Sequence, residues 1–192
     1  MLQHSRLRLA GVLAVSLGAG VLAAQTSPED ALTKKARAIH ERVLTLDTHN
    51  DISPANFTSV CNYTMDLPTQ VNLPKMISGG RYLSLAHNGH SQLSDSNTTF
   101  TPPVRATVKD FVDHLDYAVK KIGIDHVGIS SDFDGGGGVD GWNGADETFN
   151  VTLERVRRGY TEEQIAKIWS GNLLRVMDEV QAIAKKGQRA GG

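Results

Sequence analysis

His49 and Asp51 stand two residues apart in the run Asp47-Thr48-His49-Asn50-Asp51, directly after the apolar, β-branched stretch Val43-Leu44-Thr45-Leu46. In an extended chain, residues two apart point to the same face, so this imidazole and this carboxylate converge. A neutral ring nitrogen and a carboxylate oxygen are donors that a zinc ion takes at about 2 Å. The same spacing also suits a histidine that is simply hydrogen-bonded at a strand end.

A second group of carboxylates, in Ser131-Asp132-Phe133-Asp134, ends another β-branched run and leads into four glycines, Gly135 to Gly138. Acids placed there suit a site where the backbone turns sharply and leaves room for a ligand. They suit equally a glycine turn in which Asp132 and Asp134 bond the local backbone. A calcium loop of EF-hand type is excluded, because its fifth and twelfth positions would fall on Gly136 and Asn143, neither of which supplies a carboxylate. His87 continues the run Arg81-Tyr82-Leu83-Ser84-Leu85-Ala86 and can reach a cleft at its end, while His90 sits in the turn that follows. His40, His114 and His126 lack a partner at ligand spacing and read as ordinary structural histidines.

The elements that position these groups follow a helix-then-strand grammar. Pro28 to Arg42 reads as a helix with Ser27 as its cap and Glu29 and Asp30 in its first turn, and it leads into the strand signal Val43 to Asp47. Arg81 to Ala86 and His126 to Ser130 read as two further strands. Between them, Thr107 to Ile122 carries Val108, Phe111, Val112, Leu115, Val119 and Ile122 on one face, with Thr107 and Asp110 at capping positions. Two more helices are expected, Asp146 to Arg158 stopped by Gly159, and Thr161 to Ala184 opened by a capping box of Thr161 and Gln164. Short strands that end in polar residues, with helices between them, indicate an α/β fold whose site lies at the carboxyl ends of parallel strands. A complete eightfold barrel needs about 250 residues, and 192 residues do not hold eight such strands.

Composition narrows the partners. Twenty basic and 21 acidic residues leave a net charge of -1 with no basic patch, so a nucleic-acid partner is not expected. At the N-terminus, Arg6 and Arg8 precede the apolar run Leu9 to Leu22, and Ala23-Ala24-Gln25 follows. That order is the signature of a secretory signal peptide. The alternative, a retained anchor, needs about 18 apolar residues, whereas Ser16, Gly18 and Gly20 interrupt this run. The expectation is a signal peptide over 1–24, a domain over 25–186, a disordered polar tail over 187–192, and a secreted or periplasmic protein without a stable membrane anchor. Cleavage after Ala24 removes Arg6 and Arg8 and takes the net charge to -3. The single cysteine, Cys61, excludes an intrachain disulfide and reads as a small buried residue. Four Asn-x-Thr sequons, at Asn56, Asn62, Asn97 and Asn150, matter only in a host that glycosylates.

Taken together, these runs resemble the membrane (renal-type) dipeptidases, a family of zinc peptidases. Leu46 to Asp51 looks like the opening motif of that family, whose histidine and second aspartate bind one of two zinc ions. The resemblance therefore makes His49 and Asp51 metal ligands. Tyr82 to Asn88 resembles the segment whose histidine contacts the dipeptide, which makes His87 substrate-binding. Gly123 to Gly135 resembles the last barrel strand, which places Asp132 at the catalytic centre, where it would hold or protonate the departing amine. Ser170 to Val176 resembles the closing helix of the family. The implied fold is a TIM-type (β/α) barrel of the metal-dependent hydrolase kind, the implied substrate a dipeptide, and one implied assembly a homodimer.

The departures are as specific as the matches. The family carries a glutamate that bridges its two zinc ions between the first two segments, yet here Met76 to Gly80 runs straight into Arg81-Tyr82. Two more zinc-binding histidines and a substrate-binding arginine lie in the family before the last strand. Here Ser94 to Phe100 passes into Thr101-Pro102-Pro103 and the helix at Thr107. The expectation is an incomplete barrel, at most one partial metal site, and impaired dipeptidase activity; the alternative is a non-catalytic shortened form or a gene-model fragment.

Overall fold

The computed structural model of the chain describes residues 27–80, 82–87 and 106–190, so the expected signal peptide and His90 lie outside the described residues. Helix α1, Pro28–Arg42, begins where the sequence places it: Ser27 accepts from the Asp30 N–H, and Asp30 reaches back to the Ser27 N–H. This reciprocal cap satisfies two of the orphan donors of the first turn. Strand β1, Thr45–Asp51, follows at once, and after a short helix α2, Leu73–Ser78, comes strand β2, Tyr82–His87. Helix α2 escaped the sequence reading because it has only six residues; Asn72 caps it and Pro74 occupies its first turn.

The two strands pair in parallel, with Thr45 opposite Tyr82 and Asp51 opposite His87, and the register slips between Asp47 and Asn50. On the other edge of β1 runs the segment 127–133. Thr48 N–H donates to Ile129 O at 3.1 Å, Asp132 N–H to His49 O at 3.0 Å, and Asp51 N–H to Phe133 O at 2.8 Å. The third strand expected over His126 to Ser130 is not formed as such. Ile124–His126 is a 3-10 turn entered through Gly123 at φ 86°, and Asn50 with Phe133 makes an isolated parallel bridge. The backbone bonds to β1 are too sparse for a ladder, yet the alternation of a strand survives. Val127, Ile129, Ser131 and Phe133 are buried, while Gly128, Ser130 and Asp132 are exposed. Among the described residues the sheet therefore has two strands, and no barrel closes.

Helix α3, Val108–Ile122, carries the expected Thr107–Asp110 capping box, and α4, Thr148–Arg157, is preceded by a 3-10 turn at Ala145–Glu147. The last expected helix is divided. Helix α5, Glu162–Ala166, passes through a widened turn, Lys167–Gly171, in which the Asn172 N–H reaches back five residues to Lys167 O, and then becomes α6, Asn172–Ala190. Such a turn is a π-bulge, which no periodic pattern announces. Helix α6 continues to Ala190 and so covers most of the segment expected as a disordered tail.

The core gathers α1, α3, α4, α5 and the 127–133 segment around aromatic rings. Trp142 lies 4.8 Å from Phe111, 5.1 Å from Phe133 and 6.3 Å from Trp169, centroid to centroid. Ala36, Ile39, Val112, Val151 and Ile165 fill the remainder. Burial of these side chains supplies the main stabilising term, about 1.5–3 kcal/mol for each large apolar residue. Arg155 is wholly buried as well, donating to Gln164 O at 3.1 Å at the end of α5, and burial lowers its pKa to about 10.

Candidate metal centre

Asp47 is fully buried on β1, and its carboxylate organises the end of the neighbouring segment. It accepts from the Ser131 hydroxyl, from the Ser131 N–H at 3.0 Å, and from the His49 N–H at 3.2 Å. Ser131 Oγ in turn accepts from the Phe133 N–H at 3.1 Å. Between the two bonded residues, Asp132 takes φ 53°, a left-handed conformation that aspartate tolerates better than most residues. The turn carries the Asp132 carboxylate to the side of β1 where His49 and Asp51 stand.

There the three side chains meet. His49 Nε2 lies 3.2 Å from Asp132 Oδ1 and 3.7 Å from Asp51 Oδ1, and one ligand atom from each residue falls within 4.8 Å of the others. Donors about 2.1 Å from a tetrahedral ion stand roughly 3.4 Å apart, so the set could hold a small divalent metal ion. The glycine run keeps the space open. A methyl group at Gly135 would sit 2.6 Å from Asp132 Oδ1 and 3.0 Å from Asp51 Oδ2. The sequence pairing of His49 with Asp51 is thus realised, and Asp132 joins it.

Asp134 does not join. Its Oδ1 accepts from the Gln70 N–H at 2.8 Å and its Oδ2 from the Val71 N–H at 3.3 Å, while its own N–H donates to Gln70 Oε1 at 2.8 Å. It fastens the loop before α2 to the glycine run, bonding backbone more than 60 positions away rather than the local turn backbone expected as the alternative. His87 occupies the last position of β2, in register with Asp51. His40 is buried between Thr152 Oγ1 at 2.8 Å and Gly79 O at 2.6 Å, and His114 bonds Asp110 O at 2.8 Å, as structural histidines do. Asp47 is the residue whose importance the sequence reading missed; its sole signal was an acid in the middle of an apolar strand.

A cavity of about 240 Å³ lined by Asp51, Ile52, Ser53, Asn56, Tyr63, Thr69 and Asp134 opens beside this cluster. No helix among the described residues is long and apolar enough to cross a membrane.

Carboxylates and a histidine gathered at the carboxyl ends of parallel β-segments form a group that could hold a metal ion in a chain of mixed helices and strands. The model of the membrane dipeptidase family (peptidase family M19) matches residues 82–191, and the chain belongs to that family. It is similar to dipeptidase tcpJ of Claviceps purpurea, 39% identical over 83 residues that make up 43% of this chain and 20% of that protein. It is also similar to dipeptidase ataJ of Aspergillus terreus, 43% identical over 83 residues, 42% of this chain and 20% of that protein. Among solved structures, the probable dipeptidase PvdM from Pseudomonas aeruginosa is 60% identical over 40% of this chain and 19% of its own, with a TM-score of 0.40. The matched part of the chain spans about a fifth of the length of these relatives.

Proposed function

We propose that this chain is a shortened, zinc-dependent member of the dipeptidase family that keeps one partial metal site and hydrolyses dipeptides weakly at most. The observation that carries this reading is the convergence of His49 Nε2 with the Asp51 and Asp132 carboxylates. These residues would hold one zinc ion, with Asp132 as its third protein ligand. The two segments from which they come, β1 and 127–133, are read together with β2 as neighbouring pieces of a TIM-type barrel, parallel and with their polar ends together.

A zinc ion held by three protein ligands supplies a more acidic water and a polarised substrate carbonyl. The residues of the chain set the rest. Asp132 stands at the solvent-facing side of the cluster with its side chain 52% exposed, and its second oxygen would accept from the amine of a dipeptide or pass a proton to it. His87, at the last position of β2, would help stabilise the developing oxyanion, as the resemblance to the family implies. Asp47 and Ser131 fix the backbone that aims Asp132 and His49.

A non-catalytic shortened form is the second reading, and one observation favours it. Residues 52–81, which link β1 to β2, contain no glutamate, so no bridging glutamate stands between the two strands. Export after cleavage near Ala24 belongs to both readings and rests on the order of charges and apolar residues in 1–25.

The test is turnover of a panel of dipeptides with added zinc, measured beside His49→Ala and Asp132→Asn. The expected result is slow or absent hydrolysis, because a misplacement of 1 Å costs about a hundredfold in rate. Efficient hydrolysis abolished by both substitutions would contradict the impairment.

A further inference from the structure

The cavity beside Asp51 has a neighbour. A second cavity, of about 290 Å³, is walled by Ile52, Phe57, Tyr63, Val71, Leu73 and Met76, which belong to the loop after β1 and to α2. Ile52 and Tyr63 line both cavities, so the two share a wall. Asn50, which stands between His49 and Asp51 on β1, borders the second one as well.

The two spaces differ in chemistry. Asp51 and Asp134 line the first, whereas no charged residue lines the second. Polar groups on the second wall are engaged within the chain. Asn72 Nδ2 donates to Leu67 O at 3.1 Å and Asn72 Oδ1 accepts from the Lys75 N–H at 3.1 Å, while the Thr64 hydroxyl donates to Asn62 Oδ1. Tyr63 is fixed at the boundary, its hydroxyl accepting from the Ser53 N–H at 2.8 Å and its ring 5.4 Å from that of Phe57. Phe57 and Leu73 remain 63% and 45% exposed, so apolar surface on this wall is left for an incoming apolar group to cover. Sites for small molecules run from about 300 to 1,000 Å³, and a cavity at the foot of that range suits one bulky side chain rather than a larger ligand.

We propose that this second cavity is a specificity pocket, which takes the bulky apolar side chain of the C-terminal residue of a dipeptide. The inference rests on the dipeptide site proposed at the metal centre. There Asp132 takes the amine and the metal ion the scissile carbonyl. Asp51 lines the adjoining cavity and Asp132 does not, so the residue beyond the scissile bond is the one directed past Ile52 and Tyr63 to the apolar wall. Phe57, Tyr63 and Leu73 then decide which dipeptides bind well. A glycine at that position covers none of the wall, and a charged side chain would lose its water there without finding a partner.

The experiment is calorimetric binding of glycylglycine, glycylphenylalanine and phenylalanylglycine to the zinc-loaded full chain and to its variants Phe57→Ala and Leu73→Asp. Both side chains are exposed, circular dichroism verifies the fold of each variant, and one folded variant is enough for the test. Glycylphenylalanine should bind about tenfold to a hundredfold more tightly than glycylglycine, the worth of one buried aromatic side chain, and phenylalanylglycine no more tightly than glycylglycine. In each variant that preference should shrink toward parity. Equal affinities, a preference for phenylalanylglycine, a preference that survives the substitutions, or no dipeptide binding at all overturns the proposal. Zinc retention and turnover on the same samples report separately on the metal centre. Selective binding of glycylphenylalanine without hydrolysis upholds the pocket and defeats the catalytic reading alone, whereas retained zinc and hydrolysis without selectivity defeat the pocket alone.

Discussion

The Asp47 carboxylate and the Ser131 hydroxyl form a buried hydrogen bond, doubled by the Ser131 N–H at 3.0 Å to the same carboxylate. Asp47 belongs to β1 and Ser131 to the segment beside it, so this pair fixes the separation of the two β-segments that carry the proposed metal ligands. Removal of the acid would leave buried donors without an acceptor, at a cost of about 1–3 kcal/mol each. Asp47→Ala should therefore lower the unfolding free energy by roughly 2–4 kcal/mol. Chemical denaturation of the two proteins measures this directly, and a change below about 1 kcal/mol would contradict the role.

Gly135 should be required for metal binding and dispensable for folding. Its Cα faces the Asp51 and Asp132 carboxylates closely enough that an added methyl group collides with both, and it is absent from the positive-φ residues of the turn. Gly135→Ala is expected to weaken zinc affinity by about tenfold to a hundredfold, the range of a disturbed ligand shell, with an unchanged thermal transition. Calorimetric titration of zinc into both proteins checks the first part, and equal affinities would refute it.

His40 should make stability fall in mild acid. Burial holds its pKa below the ordinary 6.5, against the raising influence of the Gly79 carbonyl; Arg37 lowers it further and Glu41 opposes. The folded value lies below the unfolded one, so the unfolded chain binds the proton first. The contribution of His40 is complete above pH 6.5 and is lost as the pH falls below it. Unfolding midpoints should decline over that lower range, and His40→Gln should flatten the decline; an unchanged slope in the variant would count against it.

How far the fold could be read ahead of the structure depended on whether its signals were local. The caps expected at Ser27, Thr107 and Thr161 each lie within one turn, and all three form, each as a full capping box. The π-bulge at Lys167–Gly171 and the loss of strand structure after Gly123 depend on what packs around them, and periodicity is blind to both. The site divides in the same way. His49 and Asp51 are two residues apart on one strand, whereas Asp132 reaches them through a turn that Asp47 holds at Ser131, 84 positions away in sequence. An acid inside an apolar strand was the trace it left.

The central claim is a single partial metal site, and zinc stoichiometry tests it most directly. After dialysis against zinc, elemental analysis of the protein should find one ion per chain, and Asp51→Ala and Asp132→Ala should each abolish its retention. Two ions per chain, or one ion that survives both substitutions, would contradict the account.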